Sequence, residues 1–244
     1  MTIKEWHYDF MLKLDKVASN QKKNFNVAER DWFLNEAQDL FKKQRLFANN
    51  SKQTGFEEGQ KRIDDLSTIH IKYPDQLPVT LIKHPDMDGI KVYELPLNTL
   101  KYNYDYFIKG HLDLKANNCI NRAKLYAIQN EDFEDAISSP YQLSEERVLI
   151  NFGKSSTLDG VSSIYIYSLY PIENDKIYIE YIKQHRKINY GGYVYIDGIT
   201  YPETNSEFPE HTHKEIVDIA VQLAAGIIEA SNYSLQTNKL SINE

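Results

Sequence analysis

Phe208–Ser231 reads FPEHTHKEIVDIAVQLAAGIIEAS, and this stretch decides the fold. Ile216, Ile219, Ala220, Leu223, Ala224, Ile227 and Ile228 recur at spacings of three and four. That is the pattern of one continuous apolar stripe along an α-helix. Pro209 marks the start, and Thr212 with Glu215 has the spacing of a capping box. Only Gly226 weakens the helix. So apolar a helix needs a large surface to lie against, and the N-terminal third of the chain offers one.

Residues 3–18 read as a helix with Trp6, Phe10, Leu14 and Val17 on one face. Asn26-x-x-Glu29 predicts the cap of a second helix, running to about Phe47. Its expected apolar face is Phe33, Ala37, Leu40 and Phe41, with Trp32 alongside. Lys42, Lys43 and Arg45 fall in its last turns, where cations complement the helix dipole. Leu46–Gly55 reads as a polar loop, and Thr54-x-x-Glu57 as the cap of a third helix ending near Leu66.

Beyond Leu66 the texture changes. Ser67–Tyr73 alternates like a strand, and Pro74, Pro78, Pro85 and Pro96 argue against helices. Asp88-Gly89 signals a turn before a strand over Ile90–Leu95. Tyr102–Leu114 and Cys119–Gln129 read as strands, the second with Ile120, Arg122, Lys124, Tyr126 and Ile128 on one face. Asp132–Ser138 suits one or two helical turns. Ile164–Tyr170 and Lys176–Lys183 flank Pro171–Asp175 and predict an antiparallel hairpin. Gly191-Gly192 and Asp197-Gly198 bracket a short strand, Tyr193–Ile196. In IYIYSLY and KIYIEYI both strand faces carry large apolar or tyrosine side chains. Both faces are therefore expected to be covered, by a second sheet or by a neighbouring subunit.

The expected fold class is α+β. N-terminal helices and the long C-terminal helix form a bundle (1–67 with 208–232), and an antiparallel β-sandwich or barrel-like domain (68–207) is inserted between them. Residues 233–244 read as a polar C-terminal tail.

Composition narrows the function. With 41% hydrophobic and 26% charged residues the chain is an ordinary globular one. A net charge of −7 disfavours a free-standing nucleic-acid binder. One cysteine, Cys119, cannot form an internal disulfide and is expected to be a buried, inert thiol. MTIKEWHYDF has no apolar core of the signal-peptide kind, and no apolar run is long enough to span a membrane. The 18 tyrosines, clustered from Tyr93 to Tyr201, suit either a β-surface or an assembly surface.

Signatures of chemistry are sparse. There is no phosphate-binding Gly-rich loop, dinucleotide fingerprint or nucleophile elbow. His211-x-His213, with His185 or Glu210, is the best metal candidate; a metal-dependent hydrolase would use His211, His213 and Glu210. On a helix the two imidazoles would diverge by about 200°, whereas in extended chain before the helix they would point the same way; surface histidines in the first helical turn, packed at an interface, are the plainer reading. Asp86-x-Asp88-Gly89 lacks the distal glutamate of a calcium loop and reads as a β-turn. Asp64-Asp65 reads as a solvated helix face. The basic run Lys183, His185, Arg186 and Lys187 could meet phosphate, pair with an acidic neighbour or remain a solvated loop. No cofactor, metal site or catalytic residue is assigned.

Four stretches carry more information together. They are Asn35-Glu36-Ala37-Gln38 with Phe41 and Lys43-Gln44-Arg45; Gln60–Leu66; Glu180–Lys183 followed by Tyr190-Gly191-Gly192-Tyr193 and Asp197–Pro202; and Pro209–His213 through Glu215–Asp218. In order and spacing the chain resembles the ring proteins of the head-to-tail connector of crAss-like tailed bacteriophages. The match is thin over about 74–160. The resemblance implies a virion structural protein in the neck, assembled in the host cytoplasm. It also implies a cyclic homo-oligomer, typically of twelve copies, beneath the portal protein and beside other neck and tail proteins. Genomic DNA would pass through its lumen, with no membrane and no enzymatic activity involved. Another virion part, such as a tail-completion, stopper or head-surface protein, would have similar texture. Tyr165, Tyr167 and Tyr178, on the two-sided strands, are the expected subunit-interface residues.

Overall fold

A computed structural model describes residues 1–17, 25–47, 59–72, 78–87, 89–116, 119–139, 142–194 and 198–228. The chain divides into two compact units, Met1–Ile69 with His185–Glu244, and His70–Gln184. Residues 185–207, read from the sequence with the strands, thus lie in the helical unit.

In that unit, α1 (Ile3–Val17), α2 (Val27–Leu46) and α3 (Gln60–Asp65) precede α5 (His213–Ile228). The Asn26 cap forms as read: its side chain accepts from the Glu29 N–H, and the Glu29 carboxylate accepts from the Asn26 N–H, each at 2.8 Å. Helix α5 packs on both α1 and α2. Trp6 and Phe10 of α1, Leu34, Ala37 and Phe41 of α2, and Ile216, Val217, Ala220 and Ala224 of α5 are buried between them. Each large side chain among them contributes about 1.5–3 kcal/mol by leaving water. The burial of α5 is wider than one stripe, since Val217, Val221 and Ala225 are buried too. It also ends earlier: Leu223 is half-buried and Ile227 is 55% exposed.

Several local expectations change. A 3₁₀ turn at Glu210–Thr212 runs directly into α5, so Thr212 is already helical. Its hydroxyl donates to the Pro209 carbonyl at 2.8 Å instead of capping, and Glu215 pairs with Arg45. Trp32 and Leu40 are exposed, because α2 gives its second buried face to polar residues. The Thr54/Glu57 cap, Asp88 and the 233–244 tail lie outside the described residues.

The described residues of the other unit form one mixed nine-stranded sheet curled into a half-barrel, rather than two stacked sheets. Its strands are β1 (His70–Ile71), β2 (Val79–Thr80), β3 (Ile82–Lys83), β4 (Lys91–Pro96), β5 (Tyr104–Ala116), β6 (Cys119–Ala127), β7 (Arg147–Lys154), β8 (Ser162–Ser168) and β9 (Ile172–Lys183). The order is β1-β9-β5-β6-β7-β8-β4-β3, with β2 also on β9. Among the described residues only β6 and β7 pair in parallel; the crossover between them contains α4 (Phe133–Ser138). The strand expected over Ser67–Tyr73 shrinks to β1, because residues 66–69 form a turn that follows α3.

Strands β8 and β9 do not pair with each other. β8 lies between β7 and β4, and β9 pairs with β5. The link at Pro171 crosses between them: Lys115 donates to the Pro171 carbonyl, and the Ile172 N–H donates to the Tyr93 hydroxyl. Tyr93, Leu95, Leu112, Val148, Ile150, Ile164, Ile166, Ile177, Ile179 and Tyr181 fill the main core of the half-barrel. A smaller cluster, Ile90, Ala136, Leu143 and Leu149, sits with α4.

Candidate assembly surfaces

Helix α2 presents Asp31, Asn35, Gln38, Lys42 and Arg45 at spacings of four, three, four and three. All lie on one face, and all but Asn35 are fully buried. A polar row can be buried only if its donors and acceptors are matched, and here the segment 185–208 matches them. Asn35 grips Ile188 at both backbone groups, accepting from its N–H at 2.9 Å and donating to its carbonyl at 3.0 Å. One Asp31 oxygen accepts from His7 Nε2 at 2.8 Å. The other accepts from the Tyr190 N–H at 2.9 Å and the Tyr193 hydroxyl at 2.5 Å. The Ser206 hydroxyl donates to Gln38 at 2.8 Å. Lys42 donates to Asp39 and reaches His185 Nδ1 at 3.4 Å.

At the C-terminal end of the row, Arg45 donates to Asp65 of α3 at 2.7 Å and pairs with Glu215 of α5. Burial disfavours the guanidinium charge, but the two carboxylates outweigh it and raise the Arg45 pKa. His211 reaches the second Asp65 oxygen at 2.9 Å. Asp65, read as solvated, is therefore fully buried and matched on both oxygens.

The row fixes a short ribbon. Asn189 bridges Thr204, and Val194 bridges Thr200, both antiparallel. Gly191 makes the turn possible: its φ is +82°, and a Cβ there would stand 2.8 Å from the Glu203 nitrogen. Beyond it Val194 and Ile199 are 65% and 53% exposed, and Tyr201 is also exposed. A cavity of about 460 Å³ opens between Asp31, Asn35, Ile188, Tyr193, Tyr201 and Pro202.

The three tyrosines expected at an interface lie half-buried in the sheet unit. Alternation explains it: Ile164 and Ile166 fill the core, and Tyr165 and Tyr167 take the other face of β8. The Tyr165 hydroxyl donates to the Lys154 carbonyl at 2.7 Å. Tyr167 meets Phe133 of α4 edge to face, with centroids 4.7 Å apart. Tyr178 stacks on His111 at 4.8 Å. The sheet unit itself thus supplies much of their cover.

Glu94, which the sequence reading passed over, is fully buried in β4. Burial alone would raise its pKa. Hydroxyls of Ser155, Ser163 and Ser156, together with His84, surround the carboxylate at 2.5–2.9 Å and lower it to about 2. The only signal in the sequence is one acid inside an apolar strand, KVYELP. Ser156 and Glu94 both approach the same His84 nitrogen, at 3.5 and 2.7 Å. A catalytic relay engages the two different ring nitrogens of the imidazole, so this cluster reads as a pin for the 155–163 loop.

The metal candidate does not converge. His211 turns to Asp65, whereas His213 is buried against Trp6 and donates to the Phe208 carbonyl at 2.8 Å. Burial lowers the His213 pKa. Glu210 takes the N-terminal amine at 3.2 Å, and His185 packs on Phe208. No three His, Cys, Asp or Glu residues gather as metal ligands among the described residues. In the basic run, His185 is buried, Arg186 pairs with Glu207, and Lys187 is exposed. Cys119 is exposed at the first position of β6, contrary to the buried thiol expected. Asp86 pairs with Lys91, and Gly89 turns at φ +86° as its β-turn requires. No helix among the described residues is long and apolar enough to cross a membrane.

No curated protein matches the chain closely enough to assign a role by that route. The family model for phage tail ring protein 3/4 of crAss-like phages matches residues 1–238, spanning both units, and the chain belongs to that family of virion structural ring proteins.

Proposed function

We propose that the chain is a subunit of a ring in the portal-proximal neck, the head-to-tail connector of a crAss-like phage. Twelve copies close as a cyclic homo-oligomer that joins the portal protein to the tail, and genomic DNA crosses its lumen. The family match over residues 1–238 carries this reading. A closed ring needs two different patches on each subunit. The outward halves of Tyr165, Tyr167 and Tyr178 form part of one of them. The net charge of −7 suits a channel through which DNA moves without adhering.

The family is one of tail ring proteins, which favours a second reading: the ring sits below the neck, within the tail proper. Cryo-microscopy of the virion decides. Twelvefold density between portal and tail that fits both units is the expected result. The same density further down the tail selects the second reading, and virions with no such ring overturn both.

A further inference from the structure

We infer that the ribbon around Val194 and Tyr201 docks on α4 of the next copy of this chain, making the head-to-tail contact that closes the ring. The inference rests on the ring reading above. Neither ribbon bridge belongs to the nine-stranded sheet, and an isolated two-stranded ribbon is marginal in water. This ribbon is nevertheless held firmly at its base, where Asp31 and Asn35 bind Ile188, Tyr190 and Tyr193. Beyond that base, Val194 and Ile199 are left more than half exposed. Pre-organised, exposed apolar surface is what a docking element needs.

Charge identifies the occupant. Lys187 stands exposed at the ribbon base with no ion pair among the described residues. Glu131, Asp132 and Glu134, at and just before the start of α4, are likewise exposed and form no ion pair among the described residues. Beside them is an aromatic seat, Phe133 against Tyr167. One patch is apolar with a cation, and the other is aromatic with carboxylates. Complementary but different patches make a heterologous contact, which repeats from copy to copy until it closes.

The test is zero-length carbodiimide cross-linking of intact virions, which joins an amine to a carboxylate only in direct contact. Expected are isopeptides from Lys187 to Glu131 or Glu134, and a ladder of this chain's multimers that rises to the ring's copy number. Lys187→Arg keeps the charge and the ring but loses the ladder. Ile199→Asp leaves the isolated chain folded, with its thermal midpoint unchanged, and removes it from the particle. If the ring is visible in the virions but Lys187 links to another protein, or to none, the docking is overturned and the ring reading stands. If the virions contain no such ring, both fall.

Discussion

A fully buried carboxylate such as Glu94 stays ionised only because its neighbours do what water would otherwise do. Three hydroxyls and His84 surround it and hold its pKa near 2, against an ordinary 4.5. A depressed carboxylate pKa gives stability that is complete above the unfolded value and is lost as pH falls through the folded one. The expected outcome follows that sign. Glu94→Gln is less stable than the parent at pH 7 by about 1–3 kcal/mol. In urea unfolding at successive pH values the gap then narrows below about 4.5 and closes only as the pH falls through about 2. A gap of constant size from pH 7 to pH 2 would show that the charge plays no part. The cluster was illegible in the sequence because its donors come from positions 84, 155, 156 and 163, far apart along the chain. The Asn26 cap, by contrast, was legible because all its atoms lie within four residues.

At the scale of elements, α2 and α5 show how far periodicity reaches. The α5 stripe predicted burial, and Ile216, Ile219, Ala220 and Ala224 are buried. Periodicity could not say that α1 and α2 would cover two sides of the helix, nor that its last turn would emerge. Ile216→Ala should therefore cost about 2–5 kcal/mol in thermal or urea unfolding, and half-buried Leu223→Ala clearly less. Equal costs would mean that the end of the helix is as enclosed as its middle. In α2 the expected Phe33, Ala37 and Phe41 are buried, but Leu40 and Trp32 are exposed and a polar row forms a second buried face, because another segment of chain supplies partners for it. Three members of the row, Asn35, Gln38 and Arg45, and four of its partners, Asp65, Tyr190, Tyr193 and Glu215, lie in stretches that carry the family resemblance. The resemblance was legible through residues whose physical role was not. The β8–β9 hairpin failed for a related reason. A proline turn between two strands fixes a reversal, but it does not fix which neighbours each strand finds in a curled sheet.

For the whole molecule, the two units raise the question of independence. The sheet unit has its own main core and a second cluster around α4. We propose that residues 70–184 form an autonomous domain. Expressed alone, that fragment is expected to unfold in urea as a single cooperative transition, with fluorescence and circular dichroism reporting the same midpoint. A gradual change without a midpoint would show that it depends on the helical unit. As a virion structural ring protein the chain has to present the same surfaces in every copy, and two well-packed units suit that need.

Strand β1 begins the sheet unit and strand β9 ends it, and the two pair directly, His70 opposite Ile182. This has a consequence for the order of events as the chain is made. Helices α1 to α3 emerge first but cannot complete their bundle until α5 arrives, after the whole sheet unit. Bridging an unstructured insertion on the order of 100 residues costs about 4 kcal/mol of chain entropy. Once β9 has zipped onto β1, that cost has already been met inside the sheet unit, and α5 is delivered close to where the chain left the helices. Folding of the middle of the chain is thus the step that brings its two ends together.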